Sequence, residues 1–143
     1  GNQKKRLVKS PKVYIRDSGI LHYFLGITDM DMLYGNPKLG SSWEGFVIEQ
    51  IINQTPPDFK KYFYRTREGS EVDLVIEHQN KILASIEIKV GAKFMPSKGL
   101  TMAVQVLKPD KNFIVTKREE EFKTSNGFNV CGLSMFLDKK LWH

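Results

Sequence analysis

The stretch from Glu71 to Val90, EVDLVIEHQNKILASIEIKV, constrains this chain more than any other. It holds two alternating, β-branched runs around the polar segment His78-Gln79-Asn80-Lys81, the pattern of an antiparallel hairpin. Strand side chains alternate faces, so Glu87 and Lys89 share one face while Ile86, Ile88 and Val90 take the other. On the first strand, Asp73 lies on the side of Glu71, Val75 and Glu77. Cross-strand partners share a face, so Asp73 meets Glu87 only if a three-residue loop, Gln79 to Lys81, closes the hairpin or a bulge shifts the register. A strict two-residue loop at Gln79-Asn80 would set Asp73 opposite Ile86 instead.

A chain of 143 residues is one domain by size, able to bury roughly two-thirds of its unfolded surface. The formal charge of +6 suits a polyanionic partner such as DNA, although many basic domains bind nothing anionic. The single Cys131 can form no internal disulfide, and its apolar setting, FNVCGL, predicts a buried thiol in a reducing compartment rather than a nucleophile. No run approaches the ~18 apolar residues of a membrane span, and GNQKKRLVKS has no apolar core after its charges. The expectation is a soluble, cytoplasmic chain with no membrane partner. Gly1-Asn2 reads as a remnant joined to a piece of something longer. Residues 1–10 are then a basic arm or such a remnant, and residues 11–143 a single domain.

Along the chain, Lys4, Lys5, Arg6, Lys9 and Lys12 make a basic approach that is either a solvated arm or a phosphate contact. KVYIRDSGILHYFLGIT predicts a short extended run, then an apolar helix capped by Asp17 or Ser18 and ended by Gly26. TDMDMLYGNPK reads as one helical turn and a break. From Ser41 to about Gln54 the spacing predicts a helix whose stripe is Glu44, Val47, Ile48 and Ile51. A carboxylate on a core-facing stripe is either a site residue or, through Ser41-x-x-Glu44, half of a capping box. FKKYFYRTREGSEVDLVI then gives a strand, a turn at Arg67 to Ser70, and the hairpin.

Tyr62, Phe63 and Tyr64 read as sheet packing, and Arg65 and Arg67 as exposed strand arginines or phosphate contacts. After the hairpin comes a loop with Gly91 and Lys93, the latter a further candidate for nucleic-acid contact. A helix capped by Ser97 runs to about Leu107 with Leu100, Val104 and Leu107 on one side, and Pro109 ends it. NFIVTK is a buried strand, REEEFKTSNG a charged loop, FNVCGL a last strand and SMFLDKKLW a tail. Helix, three antiparallel strands, helix and strand, with extra helices in front, make an α+β fold around a mixed sheet.

Metal-assisted phosphodiester hydrolysis suits such a layout. Converging carboxylates hold Mg²⁺ or Mn²⁺, which prefer hard oxygen ligands and leave water positions open. A lysine two residues after the second acid lies on the same strand face, able to orient water or neutralise charge on the phosphorane.

Gly40-x-x-x-Glu44, Asp73 and Glu87-Ile88-Lys89 resemble the PD-(D/E)xK nuclease superfamily, whose restriction-endonuclease-like core is αβββαβ. KVYIRDSGIL, LGSSWEGFVIEQII, YRTREGSEVDLVI and IEIKVG are similar to the uncharacterised domain that follows the ATPase module in many bacterial and archaeal AAA+ proteins. The likeness covers roughly residues 11 to 137. It implies that Asp73, Glu87 and the helix acid Glu44 are metal ligands and that Lys89 is the catalytic lysine. It also implies an N-terminal AAA+ ATPase module as the attached partner. The chain departs from the pattern at Gly45, where Asn is frequent, at Leu74, where Phe is usual, and at Val90, where a small polar residue is common. No G-x-x-x-x-G-K-[ST] occurs, so this chain has no ATP site of that kind. Two functions stay open: a Mg²⁺-dependent nuclease domain, or a nuclease-like module that binds DNA or a protein without cutting.

Overall fold

The computed structural model describes residues 43–91 and 93–142, together with the backbone course of 13–15 and 21–23. In chain order the elements are β1 (Val13–Ile15), β2 (Leu21–Tyr23), α1 (Trp43–Gln54), β3 (Lys60–Arg65), β4 (Glu71–His78) and β5 (Lys81–Ile88). They continue with α2 (Lys98–Leu107), β6 (Lys111–Thr116), β7 (Phe122–Lys123), β8 (Asn129–Gly132) and α3 (Leu133–Asp138). The strands form one mixed sheet in the order β1-β2-β3-β4-β5-β6-β8-β7, in which β3 to β8 are the body and the short β1 and β2 extend the β3 edge. Pairing is antiparallel from β1 to β5 and parallel from β5 to β6. Parallel neighbours need a crossover, and α2 supplies it. The expected order of helix, three antiparallel strands, helix and strand is therefore present in α1, β3 to β5, α2 and β6.

Two apolar clusters hold the layers together. On one face Val47, Ile48 and Ile51 of α1 and Phe136 of α3 pack on Leu74, Ile76, Ile86, Ile88 and Phe113. On the other, Leu100 and Ala103 of α2 pack on Tyr62, Tyr64, Val72, Val75 and Ile114. Each fully buried aliphatic side chain contributes about 1.5–3 kcal/mol, so the two stripes fix which way each strand faces. Cys131 is wholly buried in the first cluster, and burial pushes its thiol pKa up to about 11, as an inert core thiol requires.

The strands are not regular. Val72 and Val75 face α2 while Leu74 and Ile76 face α1, so the alternation of β4 breaks at Asp73. The pairing with β3 slips there too: Tyr62 lies opposite Val75 but Tyr64 opposite Val72. A second irregularity lies across the hairpin. His78 pairs with Lys81, closing a two-residue turn in which Gln79 and Asn80 take φ of 53° and 64°, the type I′ pattern. Ile76 then pairs with Ala84 but Glu77 with Ile82, which leaves Leu83 as a bulge. The hairpin thus uses the bulge rather than the three-residue loop.

Some sequence expectations are corrected. Leu21–Tyr23 is a strand rather than part of an apolar helix, because it completes ladders with β1 and with Tyr64 and Arg65 of β3. A short apolar run satisfies either period, and an available sheet edge decides. The charged segment after β6 contains the short β7, paired with β8, and the tail begins with α3. The caps Asp17 and Ser18, the helix end at Gly26, the TDMDMLYGNPK turn, the basic arm and the Ser41 cap lie outside the described residues.

The first turn of α2 rests on the β3–β4 turn, where Thr66 and Ser70 close the loop by a 2.9 Å backbone bond and Gly69 takes φ of 103°. A Cβ on Gly99 would stand 2.6 Å from the Gly69 carbonyl oxygen, so α2 reaches this depth only with glycine. Gly99→Ala gains up to about 1 kcal/mol of helix propensity and forces a backbone clash costing about 1–3 kcal/mol. Urea denaturation is expected to show net destabilisation, and a more stable variant would mean that the contact is soft.

Candidate active site

Leu74 pairs with Ile86, the outermost partners of the β4–β5 ladder, and Asp73 lies one residue beyond. The bulged course of β4 turns the Asp73 carboxylate across the ladder, where Oδ2 accepts a 2.9 Å hydrogen bond from the Ile88 amide. Glu87 points to the α2 face, since its neighbours Ile86 and Ile88 belong to the α1 face. It is only 8% exposed. A carboxylate so far from water requires donors, and Ser97 supplies two. Its amide donates to Oε2 at 2.9 Å and its hydroxyl donates to Oε1. Lys89 Nζ stands 3.7 Å from Oε2, while the Lys89 amide is fixed to the Val115 carbonyl at 2.9 Å.

Ser97 is also the N-cap of α2, its Oγ accepting from the Leu100 amide at 3.1 Å. One hydroxyl thus accepts from the helix and donates to the acid. The partial positive charge at the helix start further favours an anion at Glu87. The sequence marks Ser97 as a cap, and no local pattern signals its second partner.

Glu44 lies in the first turn of α1, half-buried, on the stripe whose other members Val47, Ile48 and Ile51 are fully buried. The structure brings Glu87 and Lys89 together, and ties Asp73 to the backbone of Ile88 between them. Among the described residues, no three His, Cys, Asp or Glu side chains form a group of metal-ion dimensions, so Glu44 does not complete such a cluster. Of the phosphate-contact candidates, Arg65 is engaged by Glu71, with Nη2 2.9 Å from Oε1. Arg67 is exposed in the β3–β4 turn and Lys93 is exposed in the loop before α2. Tyr62 and Tyr64 are buried sheet residues, and the Tyr62 hydroxyl donates to the buried Glu77 at 2.7 Å. Among the described residues no helix is long and apolar enough to cross a membrane.

A family model described as a domain of unknown function (DUF4143) matches residues 39–136. The uncharacterized protein Rv2008c of Mycobacterium tuberculosis is 40% identical over 125 residues, which are 87% of this chain and 28% of that protein. The uncharacterized protein Mb2031c of Mycobacterium bovis matches to the same extent. The chain therefore spans 28% of the length of these relatives. No solved structure matches.

The double role of Ser97 can be separated by substitution. Ser97→Ala loses the cap and the hydroxyl donor and is expected to cost about 1–3 kcal/mol. Ser97→Asp keeps a cap for Leu100 but sets a second carboxylate against Glu87, so it should recover little stability at pH 7. Urea denaturation at pH 7 reads this out; an Asp variant as stable as the parent would show that only the cap matters.

Proposed function

The chain belongs to the family described as a domain of unknown function (DUF4143), and on that premise we propose that it is a nuclease-like domain whose site hydrolyses phosphodiester bonds of DNA with Mg²⁺ or Mn²⁺. The observation that carries the reading is that Asp73 Oδ2 is fixed to the Ile88 amide, next to Glu87 in the chain, with Lys89 Nζ 3.7 Å from the Glu87 carboxylate. The αβββαβ order supports a restriction-endonuclease-like core, and the resemblance in the charged set supports the PD-(D/E)xK assignment.

The donor chemistry fits a hard divalent cation, since Asp73 and Glu87 offer carboxylate oxygens from adjacent strands. When bound, such an ion lowers the pKa of a coordinated water and stabilises charge on the phosphoryl oxygens. The protein's own part is to hold Asp73 through the Ile88 amide and Glu87 through Ser97, so that neither acid must be ordered during the reaction. Lys89, on the same strand face as Glu87, orients the attacking water or balances charge on the phosphorane. Glu44 is the third acid of the assignment, acting from α1. Arg67 and Lys93 contact phosphate, and Arg65 would exchange Glu71 for it. In the whole protein an AAA+ ATPase module precedes this domain and delivers the DNA, in the cytoplasm.

A second reading, a module that binds DNA or a partner protein without cutting, is favoured by one observation. Both Glu87 oxygens already have Ser97 as a donor, and among the described residues no three acids cluster. Incubation of the chain with plasmid and single-stranded DNA in Mg²⁺, Mn²⁺ or EDTA separates the two. Metal-dependent cutting reduced about 100-fold or more by Asp73→Asn and by Lys89→Ala supports the enzyme. Salt-sensitive binding with no cutting supports the module.

A further inference from the structure

A second polar site lies on the other face of the sheet. A cleft of about 310 Å³ opens where β6 starts, bordered by the β7–β8 turn and by the residue that follows α3. Lys111 shares a strand face with Phe113, which packs edge-on against Phe136 of α3, so this cleft is on the α1 and α3 side while Glu87 faces α2. Along the strands Lys111 is level with Ala84, three residues before Glu87, roughly 10 Å away. The cleft is therefore separate from the candidate active site.

Its lining is cationic and amide-rich. Lys111, Lys123 and Lys139 come from three different elements and border the same small volume. The acid there, Asp110, is engaged by Lys81 at 3.3 Å, and Lys139 is paired with Glu121. Among the described residues neither Lys111 nor Lys123 has an ion-pair partner, so two like charges face one cleft uncompensated. Asn112 adds its backbone to the wall, because its side chain turns to the α2 face, where Oδ1 accepts from Ser85 Oγ. Asn129 Nδ2 is tied to the Asn112 carbonyl at 3.1 Å, which fixes the wall.

The rim is preformed. The Thr124 amide bonds the Phe128 carbonyl at 2.8 Å, and the Phe128 amide bonds Thr124 Oγ1 at 3.0 Å, closing the turn around Gly127. At Gly127, with φ of 90°, no side chain narrows the entrance.

We propose that this cleft binds a small phosphate-bearing ligand, held by the ammonium groups of Lys111 and Lys123. An oxyanion removes the repulsion between the lysines, and a phosphate offers enough acceptors for both ammonium groups at once. The volume is at the small end of ligand pockets, which suits a phosphate or diphosphate group with little attached. The proposal does not depend on DNA cleavage.

Amide NMR titration of the 143-residue chain tests it, with inorganic phosphate, pyrophosphate and a single-stranded oligonucleotide as separate probes. Saturable pyrophosphate shifts centred on Lys111, Asn112 and Gly127 are expected, weakening as salt rises. The double change Lys111→Gln, Lys123→Gln should weaken binding at least about five-fold with the parent's unfolding midpoint, because both side chains are solvent-exposed. Asp73→Asn should bind pyrophosphate like the parent. Non-saturating shifts spread over all lysines, undiminished affinity in the double variant, or a response to the oligonucleotide alone would each overturn the proposal.

Discussion

Strand parity is the constraint on which everything else here depends. A type I′ turn at Gln79-Asn80 sets the hairpin in a register that, continued without interruption, would put Asp73 opposite Ile86. Leu83 interrupts it, and from Ala84 onward the pairing serves the core. With β4 held in place, the alternative register would turn Ile86 and Ile88 against the wrong layer, at about 1.5–3 kcal/mol for each buried side chain. A bulge gives up about one ladder hydrogen bond, of the order of 1 kcal/mol net. The apolar stripes therefore win by several-fold, and the register that brings Asp73 alongside the Ile88 backbone follows from how the core must pack.

The second constraint is electrostatic. Glu87 sits almost wholly out of water, and an unpartnered carboxylate there would be costly. Its donors come from the first residue of the α2 cap, so the acid is satisfied only if α2 is seated at the right depth. Seating depends in turn on Gly99, whose missing Cβ lets the helix meet the β3–β4 turn. A residue remote in character from catalysis thus helps decide where the Glu87 carboxylate stands.

The parts of the fold that were legible in the sequence are those governed by local period. The hairpin, the α1 stripe, the turn before β4 and the αβββαβ order follow from alternation, 3.6-residue spacing and turn residues. That Glu87 and Lys89 share a strand face was legible for the same reason, because strand parity is a short-range property. Leu21–Tyr23 was not, since an apolar triplet fits helix or strand until the β3 edge is known. Two-residue β7 carries no periodicity at all. The bond from Ser97 to Glu87 and the placing of Glu44 depend on how a whole helix docks, and neither is written in residues nearby in sequence.

The contacts around Glu87 bear on whether its satisfied state excludes function. An ionised carboxylate has about four lone-pair directions. Ser97 occupies one on each oxygen, and Lys89 at 3.7 Å is an ion pair longer than a hydrogen bond. Acceptor capacity therefore remains, and a cation can be added without first breaking the link to α2. Asp73 is oriented in the same way, with Oδ2 on the Ile88 amide at 2.9 Å. Donors from backbone and cap do the orienting, which keeps both acids in place before any ligand arrives. The bonds from Ser97 to Glu87 are then a form of preorganisation that leaves the carboxylate able to accept more.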